Sequence, residues 1–254
     1  MRLMAWVMGG LCLIVSSANA VSLYDGSQNN FPEDQPWLFY AADAAIGSKT
    51  VANGKTSFDT GASTTRAGWS NYVPLFNQLK NSSFPTLDRT SGFVMSFDAK
   101  VSSESHSTND RAGFDVILLS SDHQGVELGF WTNEVWAQTL SGSFVHGEGH
   151  AFNTTATTHY DLGIQGNTYQ LFGNGSLLLS GSTRDYSGAL SVPYGLNNYV
   201  FLGDDTTSAT ASIELSNVSL APEPGALAMI SGLLALSSAH RRVRARGHAY
   251  PAVL

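Results

Sequence analysis

Gly92-Phe93-Val94-Met95-Ser96-Phe97-Asp98-Ala99-Lys100-Val101 carries apolar side chains at every odd position from 93 to 101. The three polar residues at 96, 98 and 100 alternate with them. Successive side chains of a strand point to opposite faces, so this period of two predicts a strand with one buried face. From this run we expect the rest of the chain to consist largely of half-buried strands as well.

Strand patterns continue on the C-terminal side of this run. Residues 114–119 are apolar except for Asp115, as expected of a central strand, and 126–131 and 160–164 alternate again. Residues 168–172 and 176–180 flank Gly173-Asn174-Gly175, a turn type that favours a hairpin. Turn residues recur every eight to twelve positions, which predicts a β-sandwich. One short helix is expected over 71–80, where the residues at 73, 76 and 79 share a helical face.

Composition restricts the class of protein. The chain has 254 residues, of which 13% are charged and 43% hydrophobic, and it contains 32 Ser and 19 Thr. Charged residues make up about 25% of an average soluble domain, so the polar surface of this protein is mostly neutral. Residues 21–220 hold nineteen acids and eight bases, a net charge near −11. That charge repels phosphate backbones, and we expect no nucleic-acid partner.

The first twenty residues have the pattern of a secretory signal peptide. Arg2 gives the positive start, residues 3–15 are apolar, and Ala18-Asn19-Ala20 has the small residues of a cleavage site. The alternative is a buried N-terminal helix. The single cysteine, Cys12, lies inside this segment, so the exported protein would contain neither a disulfide nor a reactive thiol.

The C-terminal region has a second targeting pattern. Pro222-Glu223-Pro224 precedes an apolar run over 226–239, and an arginine cluster follows. The cluster consists of Arg241, Arg242, Arg244 and Arg246. Fourteen apolar residues span about 21 Å as a helix, which is short for a bilayer core of about 30 Å. The arginines would hold the segment on the cytoplasmic side of the inner membrane, as a transient anchor.

This order of elements resembles the PEP-CTERM sorting signal of Gram-negative bacteria. The resemblance covers about 222–246 and implies recognition by an exosortase, a membrane enzyme that cuts near the Pro-Glu-Pro motif. An ordinary single-span tail anchor is the alternative. We therefore divide the chain into a signal peptide (1–20), a β-sandwich domain (21–220), a sorting segment with a hydrophobic helix (221–246) and a tail (247–254).

The central region resembles the "choice-of-anchor" β-sandwich domains of bacterial surface proteins. The resemblance rests on residues 111–120 (RAGFDVILLS), 125–131 (GVELGFW) and 135–138 (VWAQ), with 201–207 (FLGDDTT). It implies an all-β, concanavalin-A-like jelly-roll sandwich. Sandwiches of this shape serve as lectins, binding modules and glucanases, so the resemblance alone assigns no activity.

Two groups of residues are candidates for metal binding. Asp204 and Asp205 are oxygen-rich and follow a predicted strand, which would suit calcium, although Asp-Asp pairs also form turns. His146, Glu148 and His150 share one strand face and could hold zinc or a similar ion. Their spacing of about 7 Å along a strand works against convergence, and an exposed polar strand is the alternative. Beyond an optional calcium ion, no cofactor is expected.

Two further pairs are candidates for glycan chemistry. Trp131 and Trp136 would stack on sugar rings if exposed, whereas burial is the commoner fate of such side chains. Glu127 and Glu134 are the best pair for a glycoside hydrolase, which needs two carboxylates close together. Their spacing of seven would point them apart on one continuous strand, although a hairpin could reunite them.

The expected function is therefore an exported, non-enzymatic sandwich. Exosortase and the inner membrane would be its partners during sorting, and an extracellular polysaccharide would be a partner afterwards. We expect a transient stay in the inner membrane and then a structural or adhesive role at the cell surface or in the extracellular matrix. A secreted jelly-roll glycan hydrolase is the alternative.

Overall fold

The computed structural model describes residues 20–41, 46–61, 66–73, 78–140, 144–188 and 193–222. Eighteen strands lie in these ranges, together with two single-turn 3-10 helices at Gly26–Gln28 and Pro32–Asp34. In chain order the strands are β1 Val21–Asp25, β2 Leu38–Ala41, β3 Ser48–Ala52, β4 Lys55–Asp59, β5 Ala67–Ser70, β6 Tyr72–Val73, β7 Gln78–Leu79, β8 Phe93–His106, β9 Asp115–Leu119, β10 Gln124–Phe130, β11 Glu134–Thr139, β12 Val145–Ala151, β13 Thr158–Gln165, β14 Thr168–Gly173, β15 Ser176–Ser182, β16 Arg184–Asp185, β17 Tyr199–Asp204 and β18 Ala209–Pro222.

Two antiparallel sheets form a β-sandwich, which confirms the predicted fold class at this level. The first sheet has the order β15-β14-β13-β8-β18-β4-β3, and β1 pairs with β18 beside β4. The second sheet has the order β12-β11-β10-β9-β17-β5-β2, and β16 pairs with one end of β10. Strands β6 and β7 form a separate two-stranded sheet.

The core lies between the inner faces of the two sheets. The odd positions of β8 from 93 to 101 are at most 1% exposed, while its polar residues at 96, 98 and 100 are only half-buried, as the alternating pattern predicts. Phe97 stacks on Tyr160 from β13 at 5.1 Å, and Phe130 from the opposite sheet meets both rings edge-on. Such aromatic contacts add to the free energy of burying the rings.

The predicted hairpin is confirmed. β14 and β15 pair from Thr168↔Ser182 to Gly173↔Ser176. Asn174 and Gly175 between them have φ angles of 48° and 76°. These left-handed values are those of a type I′ turn, which Asn-Gly adopts at low cost.

The predicted helix over 71–80 is wrong. The described parts of this segment are β6 and β7, which pair with each other as Tyr72↔Leu79 and Val73↔Gln78. The Asn71 side chain explains the extended backbone, because it accepts from the Val200 backbone N–H and donates to the Asn198 carbonyl. These contacts with distant residues outweigh a helical spacing that extends over only two turns.

Both predicted targeting segments lie outside the described residues, apart from their inner ends. Ala20 and Pro222 are described, whereas 1–19 and 223–254 are not. Within the described ranges, no helix is long and apolar enough to cross a bilayer.

Candidate functional site

The outer face of the second sheet carries the carboxylates from which the site is built. In β9, Val116 and Leu118 point into the core, so Asp115, Ile117 and Leu119 point to the other face. The sheet register pairs Gly129 of β10 and Gly203 of β17 with Asp115. Both neighbours lack a side chain, and the Trp136 ring lies where a Cβ of Gly129 would be.

This outer face is covered. Ile117 and Leu119 belong to a second hydrophobic cluster with Tyr186 and Leu196, which come from the connection between β16 and β17. Phe144, which precedes β12, packs against the same cluster. Tyr194 stacks between Phe144 at 4.7 Å and Tyr186 at 5.2 Å. The aromatic layer therefore excludes most water from the face that holds the carboxylates.

Three carboxylates meet beneath this layer. Asp115, Glu127 of β10 and Asp205, the residue after β17, each offer one oxygen, and these oxygens lie within 4.8 Å of one another. Asp115 is 2% exposed and Glu127 is 3% exposed, while Asp205 is half-buried. We call these three residues the carboxylate site. They are the only group of three or more His, Cys, Asp or Glu side chains with this proximity among the described residues.

Hydrogen-bond donors orient two of the three carboxylates. The Tyr194 hydroxyl lies 2.5 Å from Oε2 of Glu127 and 3.0 Å from Oδ2 of Asp205. Gln138 on β11 contacts Glu127, and with its amide nitrogen turned towards the carboxylate it donates to Oε2 at 2.7 Å. Asp115 differs from them, because its Oδ2 is buried and has no hydrogen-bond partner among the described residues.

Burial disfavours the charged form of all three acids, and neighbouring carboxylates disfavour it further at Asp115 and Glu127. Burial raises the pKa of Asp115 well above its ordinary value, and the charges of Asp205 and Glu127 raise it further. Burial is also the largest cause of the raised pKa of Glu127, to which Asp205 adds. The pKa of Asp205 is raised by burial, against the Tyr194 hydrogen bond, which lowers it. Such a group either retains protons or requires a compensating cation.

The structure separates the predicted metal ligands Asp204 and Asp205. Asp204 shares the inward side of β17 with Val200 and Leu202, whereas Asp205 follows the outward side of Phe201. Asp204 Oδ1 accepts from the Thr206 backbone N–H at 2.9 Å, as in a turn, and burial raises the pKa of Asp204 to about 8. Of the predicted pair, only Asp205 belongs to the carboxylate site.

The two tryptophans predicted to stack on sugars are buried. Trp136 is 1% exposed and Trp131 is 9% exposed. His106 stacks on the Trp131 ring at 4.3 Å, and His146 packs edge-on against Trp136 at 4.5 Å. Because protein groups occupy their faces, Trp131 and Trp136 offer no ring for a sugar, and the predicted stacking is wrong.

The histidines and glutamate predicted as zinc ligands do not converge. His146 packs between the tryptophans and lies 3.3 Å from Glu134. Glu148 instead pairs with Arg184 at 2.8 Å and accepts from the Tyr169 hydroxyl at 2.6 Å. His150 is exposed on β12. The regular strand keeps the three side chains apart, as the spacing argument anticipated.

Glu127 and Glu134 share a face but do not form a pair. The β10–β11 hairpin places Gly129 opposite Trp136, so both glutamates point outward. The backbone N–H of Trp131 donates to the backbone carbonyl of Glu134, so Glu134 lies level with Trp131. Trp131 is four residues from Glu127, which separates the two glutamates by about 13 Å along the strand direction. Glu127 has Asp115 and Asp205 as its acidic neighbours instead.

Sequence reasoning did not assign Asp115, Gln138, Tyr186 or Tyr194 to a site. A signal was present for Asp115, since it is the only polar residue in the apolar run 114–119. A lone acid within a predicted central strand must either find a partner or serve a site. Tyr194 and Tyr186 lie in a segment with no strand period, and their contacts depend on tertiary structure.

Comparisons with known proteins identify the fold but no family. No family model and no curated protein matches the chain. Among solved structures, a conserved carbohydrate esterase from Shiga toxin-encoding bacteriophage phi24B is 11% identical, with a TM-score of 0.51 over 81% of this chain and 100% of that one. The cellulose-induced protein Cip1 is 12% identical, with a TM-score of 0.49 over 80% and 97% of the two chains. Alginate lyase A1-II′ is 14% identical, with a TM-score of 0.48 over 79% and 99%. At these identities the likeness concerns the β-sandwich fold alone.

Proposed function

We propose that this protein is an exported, non-enzymatic β-sandwich of the concanavalin-A-like jelly-roll type. An exosortase sorts it to the cell surface or the extracellular matrix, where it has a structural or adhesive role with polysaccharide as its partner. Pro222, Glu223 and Pro224 form the sorting motif, and Arg241, Arg242, Arg244 and Arg246 retain the chain in the inner membrane until it is cut.

The extent of the sandwich carries this proposal. The first described strand begins at Val21, directly after the predicted signal-peptide cleavage site, and the last one is described as far as Pro222, the final described residue. These two strands pair with each other, with Val21 opposite Leu220. Cutting at both predicted positions would therefore leave every described strand intact.

The burial of the carboxylates supports a non-enzymatic role. A glycan hydrolase has to bring its acid and its nucleophile or base against a sugar ring. Here Glu127 and Asp115 lie beneath the aromatic layer and are at most 3% exposed. A polysaccharide chain has no access to their oxygens in this arrangement.

Export and processing are tested by the intact mass of the protein released from its native host. We expect a product that starts at Val21 and ends near Pro222. Changing Arg241, Arg242 and Arg244 to Glu should slow processing, because it removes the charges that hold the segment at the cytoplasmic side. A Lys80→Glu variant is the control, since this exposed residue lies in the sandwich. A product that extends to Leu254, or normal processing of the triple variant, would contradict the proposal.

A hydrolase remains the second candidate because of one observation. The carboxylate oxygens lie within 4.8 Å of one another, near the separation of about 5 Å used by retaining glycosidases. The hydrolase predicts release of reducing sugar from the host's polysaccharide, and loss of that activity in Glu127→Gln with retention in Glu134→Gln. Our proposal predicts that the protein co-sediments with the polysaccharide. It also predicts that the wild type, Glu127→Gln and Glu134→Gln release no reducing sugar.

A further inference from the structure

We propose that Asp115, Glu127 and Asp205 bind a calcium ion on the outer face of the second sheet. One oxygen from each residue lies within 4.8 Å of the others. Two Ca–O bonds of about 2.4 Å span at most about 4.8 Å, so no two of these oxygens are too far apart to bind the same ion. The inference is independent of how the protein is sorted.

Two buried polar atoms give independent support for a ligand. Oδ2 of Asp115 and the hydroxyl of Tyr186 are both buried without a hydrogen-bond partner among the described residues. Tyr186 is 1% exposed, and its ring lies parallel to that of Tyr194, whose hydroxyl contacts the carboxylate site. Unpartnered buried polar groups are rare in folded proteins. A hydrated cation at the carboxylate site would supply partners to both.

The local charge also favours a cation. None of the three carboxylates has a salt bridge to a described Lys, Arg or His side chain. Burial raises the pKa of Glu127 and Asp205, and the Arg111 charge offsets only part of that rise; Arg111 Nη1 donates to the backbone carbonyls of Asp110 and Phe144. A divalent ion would offset most of the charge of three ionised carboxylates that have no salt bridge among the described residues.

The donor atoms select the type of metal. All three are carboxylate oxygens, which are ligands for calcium, magnesium and manganese rather than for zinc or copper. Magnesium demands near-ideal octahedral geometry at about 2.1 Å, whereas calcium accepts irregular arrangements and longer bonds. Three side chains that are fixed by separate strands and by the Tyr194 and Gln138 donors fit calcium better.

Thermal unfolding of the wild-type protein provides the first test, because it requires no variant. The protein from exporting cells is treated with EDTA, dialysed into 150 mM KCl and titrated with CaCl₂. At a free calcium concentration one hundred times the dissociation constant, we expect the melting temperature to rise by about 5–10 °C. No shift, or an equal shift with MgCl₂, would overturn the proposal.

Variants then locate the ion. In Asp115→Asn the calcium-dependent shift should disappear, and in EDTA this variant should be at least as stable as the wild type, because it removes one of three repelling acids. Glu134→Gln is the matched control, since it removes an acid from the same sheet face about 13 Å away and should retain the full shift. Calorimetric binding of calcium should follow the same pattern. A calcium-dependent shift that persists in Asp115→Asn would overturn the assignment to this site.

Discussion

Phe substitutions at Tyr194 and Tyr186 form a matched pair that tests the hydrogen bonds at the carboxylate site. Both rings belong to the layer over the second sheet and stack on each other at 5.2 Å. They differ in their hydroxyl groups, because that of Tyr194 contacts Glu127 and Asp205 while that of Tyr186 has no partner among the described residues. Replacing each with Phe removes one hydroxyl and keeps the ring.

The magnitudes follow from these contacts. A hydrogen bond to a charged group contributes about 1.5–3 kcal/mol, so in EDTA Tyr194→Phe should lower the free energy of unfolding by about 2 kcal/mol. For a sandwich of about 200 residues this corresponds to a melting temperature about 4–8 °C lower. Tyr186→Phe removes a buried hydroxyl that lacks a partner, so in EDTA it should be neutral or stabilising by up to about 1 kcal/mol.

Urea unfolding followed by tryptophan fluorescence measures both effects. The probes include Trp69 and Trp136, which are at most 1% exposed and become solvated on unfolding. If Tyr186→Phe loses as much stability as Tyr194→Phe in EDTA, then ring packing rather than the hydroxyl groups decides the result, and the hydrogen-bond reasoning is refuted. With calcium present, Tyr186→Phe should become destabilising, because its hydroxyl then has a partner to lose.

Two further substitutions test the packing and the pH dependence of the sandwich. A Cβ at Gly129 would lie 2.5 Å from the buried Trp136 ring, so Gly129→Ala should lower the free energy of unfolding in urea by about 1–3 kcal/mol. Gly188→Ala is the control, because a Cβ there would have no described atom within 4 Å, and its free energy of unfolding should stay within about 0.5 kcal/mol of the wild type. His159 has a raised pKa; burial opposes that shift, and the hydrogen bond to Asp98 is the largest cause that produces it. Its contribution is therefore complete below the unfolded-state pKa of about 6.5 and is lost as the pH rises through the higher folded-state pKa. Because the ring is half exposed, His159→Gln should remove less than about 1 kcal/mol of pH-dependent stability between pH 6 and 8, and a larger or opposite change would contradict this assignment.

The strands could be predicted from the sequence because their signals are local. The alternation over 93–101 depends only on which side chains face the core, and the Asn174-Gly175 turn depends only on two left-handed residues. The helix prediction over 71–80 was wrong because the structure of that segment depends on distant residues. Its backbone is held by the Asn71 side chain against Val200, which is more than a hundred residues away.

The carboxylate site is non-local in the same sense. Asp115 and Glu127 come from adjacent strands, but Asp205 reaches them only because β17 pairs with β9 through Gly203↔Asp115. No periodicity within one segment reports that pairing. The sequence identified Asp205 as an acid at a strand end and grouped it with Asp204, because neighbours in the chain are the only neighbours that a sequence displays. The alternation of β17 places the two on opposite faces.

Calcium binding and export would support each other energetically. An exported body without cysteine has no disulfide to stabilise it, so its stability depends on the packed core and on any bound ligand. Extracellular calcium modules bind with dissociation constants of about 0.1–1 mM. At about 1 mM calcium outside the cell, a constant of about 0.1 mM stabilises the fold by about 1.4 kcal/mol, whereas at micromolar calcium inside the cell the gain is close to zero. The carboxylates at Asp115, Glu127 and Asp205 would then repel one another before export and bind the ion after it, so the sandwich gains this stability only in the compartment where we propose that it acts.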